Sequence, residues 1–338
     1  MLRFPRPLRP GDRIGVTSPS SGVPDSLKPR LDHAVGWLRE RGYDVEVGQC
    51  MGQPSHVSGP VEERAAELNR MLLDPAIRAV VPPWGGETAI DLVDRIDWDA
   101  LADAEPTWVV GFSDTTTWML PLTLRLGWAT LHGTNLMDTP YTAVEGIVHW
   151  TDVATASGPI TQHATGVFGG NGYGDWEVDP ADHAYRLDGE GTWEVHGGGG
   201  LDVTGRLVGG CIETASNLTG TPYGDVAGFG RDHADEGLIV YLEAAEDPAL
   251  EICRNLHGLR LAGWFDDADA ILIGRTSAPA SGEFSQRDAV VDALGMLDLP
   301  IVFDVECGHV PPYLPLVNGA LAHVTVSGDT RQITQELR

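Results

Sequence analysis

Residues 107–132 read TWVVGFSDTTTWMLPLTLRLGWATLH. The apolar run Thr107–Val110 passes through Gly111 into Phe112-Ser113-Asp114, and a helix-length segment, Thr115–Leu126, follows at once. A second short strand, Ala129–His132, closes the unit. Strand, helix and strand in direct succession imply parallel strands joined by a crossover, since antiparallel neighbours need only a turn. The same rhythm extends upstream. Arg13–Thr17 reads as a strand. Ser26–Arg41 reads as a helix because Leu27, Leu31, Val35 and Leu38 recur at three- and four-residue steps. Tyr43–Val47 is a strand, Val61–Leu73 a helix, Arg78–Val81 a strand and Thr88–Ile96 a helix. The first part is therefore an α/β domain with a parallel sheet.

Downstream the pattern lapses and then returns. Residues 151–200 are rich in Gly, Asp and Trp, with Gly169-Gly170-Asn171-Gly172 and the run Gly197–Gly200. So long a weakly patterned stretch is either a functional loop or a tolerated surface insertion. Strands are expected again at Val203–Val208, Leu238–Leu242, Ala270–Ile273, Ile301–Val305 and Leu321–Val326, with helices at Pro248–Leu261 and Ser285–Leu297. The chain divides into an N-terminal domain (1–150), an irregular segment (151–200) and a smaller C-terminal α/β domain (201–338). Its 338 residues suit two domains of the usual size, about 100–150 residues each.

Composition narrows the function. With 49 acidic against 22 basic residues the formal charge is −27, a field that repels phosphate backbones and anionic membrane surfaces. Nucleic acid and membrane are thus not expected as partners. Lys28, beside Pro29, is the only lysine, which leaves little scope for Schiff-base chemistry. Cys50, Cys211, Cys253 and Cys307 are widely spaced, with no CxxC; neither a metal ribbon nor a disulfide framework follows. No run reaches the roughly 18–20 apolar residues of a membrane span, and the N-terminal stretch lacks the apolar core of a signal peptide. A reduced, cytoplasmic protein without metal or cofactor is the expectation.

Three positions invite a chemical reading. Ser113 stands on a strand-to-helix turn, where its hydroxyl is lifted out and the free N–H groups of the helix start can stabilise an oxyanion. Thr115 replaces the second glycine of the usual G-x-S-x-G elbow, and Ser113 or Asp114 could equally be a helix cap. A serine nucleophile needs a base and an orienting carboxylate. His309, in Cys307-Gly308-His309, follows a predicted strand, and Glu243 ends the strand Leu238–Leu242. Each taken singly is also an ordinary turn or capping residue.

In the order Ser113, Glu243, His309, on Gly-Phe-Ser-Asp, Tyr-Leu-Glu and Cys-Gly-His, the sequence resembles the LD-carboxypeptidase and microcin C self-immunity family of serine peptidases. Pro10–Val16 with Ser18-Pro19-Ser20, Gly85-Gly86, Leu131-His132-Gly133, Gly209-Gly210, Thr214–Gly220 and Ile273-Gly274-Arg275 carry the likeness along nearly the whole chain. The resemblance implies a flavodoxin-like N-terminal domain bearing the nucleophile Ser113, and a C-terminal domain bearing Glu243 and His309 across a cleft. It implies a cytosolic, metal-free homodimer. The oxyanion hole is expected from the N–H groups of Gly86 and Asp114.

Two branches of the family differ in substrate. LD-carboxypeptidases remove the terminal D-alanine of a cytosolic muropeptide tetrapeptide. Microcin-immunity relatives cut an aminoacyl-nucleotide, with a loop tryptophan stacking on the base. Residues 151–200 lie where that loop would be, and Trp176 is the expected stacker, although it could instead fill a contact between domains. Asn217 and Gly85 are the other expected substrate contacts. The microcin branch tends to carry a Glu shortly after this strand end that can pair with the substrate α-amine; here Ile273-Gly274-Arg275 is followed by no carboxylate before Glu283, so the source of an α-amine anchor stays open. The microcin-immunity-like reading is preferred. The alternatives are an LD-carboxypeptidase and, in another class, a non-catalytic α/β ligand-binding protein, which would have no need of all three catalytic residues. Glutamine amidotransferase chemistry is excluded by the lack of a cysteine at the elbow.

Overall fold

The structure, a computed structural model, describes residues 1–338. Its first half runs β1 (Arg13–Val16), α1 (Lys28–Glu40), β2 (Asp44–Val47), α2 (Val61–Leu73), β3 (Ile77–Val80), α3 (Trp98–Asp103), β4 (Trp108–Gly111), α4 (Thr116–Leu126) and β5 (Thr130–His132). After α5 (Trp150–Thr155) come four short strands: β6 (Ile160–His163), β7 (Val167–Phe168), β8 (Gly189–Glu190) and β9 (Glu194–Val195). The rest comprises β10 (Leu201–Cys211), α6 (Ile212–Ala215), α7 (Val226–His233), β11 (Leu238–Glu243), α8 (Ala249–Leu261), β12 (Ala268–Gly274), α9 (Gln286–Leu294), β13 (Ile301–Val305), β14 (Leu316–Asn318), β15 (Leu321–Ser327) and β16 (Thr330–Glu336).

The first sheet has the order β14-β5-β4-β3-β1-β2. Strands β2-β1-β3-β4-β5 are parallel, the flavodoxin-like arrangement, and β14 adds an antiparallel edge from the far end of the chain. The second sheet is wider, β6-β16-β15-β10-β11-β12-β13-β9, with a parallel centre of β10 to β13 and antiparallel flanks. Local sequence explains the elements. In α2, Ala65, Leu68, Met71 and Leu72 form the buried stripe, while Glu62 and Glu63 open the helix and Arg70 closes it, matching its dipole. Helix α4 is buried on nearly every side, because β5 lies against it from one domain and β10 and α6 from the other. The largest of three apolar core clusters runs from Leu68 and Leu72 through Trp118 and Leu122 to Ile212, Phe229 and Leu256, so the two halves are packed against each other.

The structure departs from the sequence reading in three places. The helix expected over Thr88–Ile96 is only a tight turn, Ala89–Leu92, followed by α3, which opens on an Asp97 side-chain cap. Nine residues supply few helical bonds to offset nucleation, and here the N–H groups of Thr88 and Ala89 are taken by Ser20 and Asp114. Residues 151–200 are not merely irregular. His149 and Asp152 form a capping box for α5, and β6 and β9 are the two edge strands of the second sheet. Such two- to four-residue strands give no periodic signal and exist only through their partners. Finally, β14 and β16 carry no strand signal in the sequence, being short or polar and exposed on one face. No helix is long and apolar enough to cross a membrane.

Candidate active site

Strand β4 delivers Phe112 and Ser113 to the C-terminal edge of the first sheet. Ser113 adopts φ 64°, a left-handed conformation that a non-glycine residue pays for in strain, and α4 begins within three residues. The turn is braced by Asp114, which is buried and accepts hydrogen bonds from Ser20 Oγ (2.6 Å), Ala89 N (2.8 Å) and Thr117 Oγ1 (2.9 Å). Burial pushes its carboxyl above the usual range, and these three donors oppose that rise. The side chain of Asp114 therefore ties the serine turn to the loops after β1 and β3.

Gly85 lies directly against this turn. A β-carbon there would stand 2.8 Å from Asp114 N and 2.9 Å from Ser113 Oγ. Only a residue without a side chain leaves room for a reacting group between them. Gly86 follows with φ 141°, pressed against Ser20 and Ser21, and its N–H has no protein acceptor. We expect Gly85→Ala to cut kcat/KM by about 100-fold or more, from sub-ångström displacement of the reacting groups. Steady-state kinetics beside a thermal melt checks this, and unchanged kinetics would show that the gap is not used.

The second domain supplies the other two residues. Glu243 ends β11 with 0% exposure, and its Oε2 meets His309 Nδ1 at 2.7 Å. Gly308, at φ 114°, makes this possible: a β-carbon there would lie 2.5 Å from that same oxygen. The other oxygen, Oε1, has no hydrogen bond; His132 Nε2 stands 4.0 Å away, while His132 Nδ1 bonds the Tyr313 hydroxyl at 2.6 Å. Burial, and less so the nearness of His309, depresses His132 to about 3, so this ring is neutral. For His309 burial pulls the pKa down, but the charge and hydrogen bond of Glu243 outweigh it and the imidazole sits above its ordinary value. The ring of His309 packs edge-on to Phe112, with centroids 4.9 Å apart, which seats it beside the serine turn. The two domains are pinned together here by the Thr116 hydroxyl of α4, which accepts from Cys211 N at 3.3 Å.

Ser113 and His309 open onto one cavity of about 520 Å³, with Phe112, Gly85, Gly86 and Trp84. The serine hydroxyl and His309 Nε2 make no hydrogen bond to each other; unliganded active sites often hold such pairs apart. Trp176 also lines the cavity. Its indole N–H donates to the Tyr141 hydroxyl at 3.0 Å, and one side of its ring is covered by the buried Arg30 guanidinium at 4.8 Å. Arg30 in turn donates to the carbonyls of Pro180 and Asp182, which straps this loop to α1. Asn217 is elsewhere. It is exposed in the turn after α6 and donates to the Glu213 carbonyl, closing that turn instead of facing the cavity. Asp138 and Tyr173, which no motif marked, do line it. The one group of side chains with metal-ligating atoms close together, Cys253, His257 and Asp292, joins α8 to α9 and does not line this cavity.

Comparison with known proteins matches both halves of the chain to one family. The sequence model for the LD-carboxypeptidase N-terminal domain matches residues 14–133, and that for the LD-carboxypeptidase C-terminal domain matches residues 204–324. The microcin C7 self-immunity protein MccF of Escherichia coli is 23% identical over 98% of this chain and 95% of its own length. The murein tetrapeptide carboxypeptidase of Pseudomonas aeruginosa is 25% identical over 88% of each chain. Among solved structures, MccF in complex with aspartyl sulfamoyl adenosine superposes with a TM-score of 0.83 at 22% identity, covering 100% of this chain and 99% of that one.

Proposed function

Because this chain belongs to the LD-carboxypeptidase family of serine peptidases, we propose that it is a hydrolase whose nucleophile is Ser113, with His309 as base and Glu243 as its orienting carboxylate. The observation that carries this reading is a strained serine sharing a cavity with an imidazole held 2.7 Å from a fully buried carboxylate. His309 Nε2 takes the proton of Ser113 as Oγ attacks the substrate carbonyl carbon. Glu243 keeps the proton of His309 on Nδ1 and stabilises the imidazolium. The N–H groups of Gly86 and Asp114 receive the oxyanion across the space beside Gly85. The amine leaves with the proton from His309, and a water activated by the same imidazole hydrolyses the ester.

As substrate we favour an aminoacyl-nucleotide, cut between the acyl carbon and the nitrogen of an amide or phosphoramidate-type linkage. This would serve detoxification or self-immunity. A cavity of about 520 Å³ is large enough for a nucleoside, and the face of Trp176 away from Arg30 is suited to stack on a base, worth about 1–3 kcal/mol. Purified protein should be offered a sulfamoyl aminoacyl-adenosine and an L,D-tetrapeptide in parallel. Cleavage of the first is expected; release of D-alanine alone would make the chain a muropeptide LD-carboxypeptidase instead.

The rate should also report on His309. Since its pKa lies above the ordinary value of about 6.5, activity should fall with decreasing pH along a limb centred above 6.5. Substituting Glu243 by Gln removes the upward influence, so the limb should move to lower pH. A pH–rate series on both proteins checks the sign, and an upward move refutes the assignment.

A further inference from the structure

One oxygen of the Glu243 carboxylate has no part in the mechanism. Oε2 meets His309 Nδ1, whereas Oε1 is buried and has no hydrogen-bond partner. A carboxylate wholly removed from water is costly to maintain while one oxygen goes unmet. The ionisable groups packed around it, Cys211, Tyr173, Tyr241, Cys307 and Tyr313, are all kept neutral by burial, which drives each well above its ordinary pKa. What faces Oε1 is His132 Nε2 at 4.0 Å, both side chains having 0% exposure. His132 ends β5, the strand beside the one that delivers Ser113, so this contact joins the two domains.

The tautomer of His132 is set from its other side. The Tyr313 phenol keeps its proton, and the acceptors it meets are the two nitrogens of His132, Nδ1 at 2.6 Å and Nε2 at 3.4 Å. The shorter bond occupies the Nδ1 lone pair, so this neutral ring carries its own proton on Nε2. At 4.0 Å that N–H is beyond hydrogen-bond length from Oε1, but its dipole acts strongly on a charge in a dry interior. We propose that His132, locked by Tyr313, is a positioning residue for the reaction: its Nε2–H holds the free oxygen of Glu243 and draws off part of that carboxylate's charge, which sets how firmly His309 keeps a proton. The proposal rests on the hydrolase reading above and adds a residue that does not line the reaction cavity. A base that holds its proton too firmly returns it slowly to the leaving amine. Glu213 and Asp138, the other acids that act on His309, are untouched by a change at His132.

The test follows the rate at which a fluorophosphonate labels Ser113 across a range of pH, a readout independent of the substrate. His132→Phe keeps a flat ring and removes the N–H. Glu243 stays confined by Gly274 and Gly308, so its undivided charge should move the acidic limb of labelling to higher pH. The expected size is about three-fold slower labelling at any pH below the limb, a shift of about half a pH unit. His132→Gln, which returns an N–H to the same place, should restore the limb. A limb that stays or moves down in His132→Phe, or that glutamine does not restore, leaves His132 a packing role only and overturns the proposal while the hydrolase reading stands. Unaltered protein that the probe does not label overturns both. Should His132→Phe fail to fold, the tautomer decides: the imidazole nitrogen-15 spectrum of the unaltered protein at neutral pH, assigned by the signals lost in His132→Gln, should show the His132 proton on Nε2. A proton on Nδ1 overturns the proposal.

Discussion

Replacing Ser113 with alanine is expected to lower kcat by about 10⁵-fold or more, the scale seen when a serine hydrolase loses its nucleophile. The fold should be untouched. Alanine tolerates the turn no worse than serine does, and the bracing hydrogen bonds of this turn belong to Asp114, not to Ser113. Ligand affinity should stay near that of the unaltered protein, since Phe112, Gly85, Trp176 and His309 still line the cavity. The informative result is therefore a split between turnover and binding, read by kinetics and calorimetry on one preparation. Labelling by a fluorophosphonate should vanish in parallel. Hydrolysis persisting at the original rate in Ser113→Ala would remove the basis for the mechanism.

Glu243→Gln should be nearly as damaging, about 10⁴-fold in kcat, because the imidazole would be held in the wrong tautomer. Glutamine fits the space but presents an N–H₂ where His309 Nδ1 now has a carboxylate at 2.7 Å. The ring then carries its proton on Nε2, the atom that must accept from Ser113. Water cannot substitute, since Glu243 has no exposure and Gly308 and Gly274 close around it. Circular dichroism should confirm an intact fold, and a loss below ten-fold would mean that something other than Glu243 orients the base.

Those residues were legible to different degrees. The turn at Ser113 could be read because strand, glycine, serine and helix follow one another without interruption, so the geometry is local. Glu243 and His309 were recognisable only through family likeness. Their partnership spans 66 residues and depends on β11 and β13 lying two strands apart in a sheet. Of the two substrate contacts expected from the same likeness, Trp176 lines the cavity, whereas Asn217 is held on the surface by a turn-closing bond to Glu213. Asp138 gave no signal at all. An aspartate after Asn-Leu-Met looks like an ordinary turn residue until the packing of Arg30 and the 173–185 loop encloses it.

The order of apolar runs, their spacing and the glycines at 85, 111 and 308 determined by themselves that this is a two-part α/β chain with a serine raised at a strand end, since periodicity and backbone freedom are properties of short segments. Which side chains face one another was decided only in three dimensions. The edge strands β6, β9 and β14 and the enclosure of Glu243 arise from contacts between distant segments, and a buried charge has no cost, and hence no meaning, until the surrounding chain has excluded water from it.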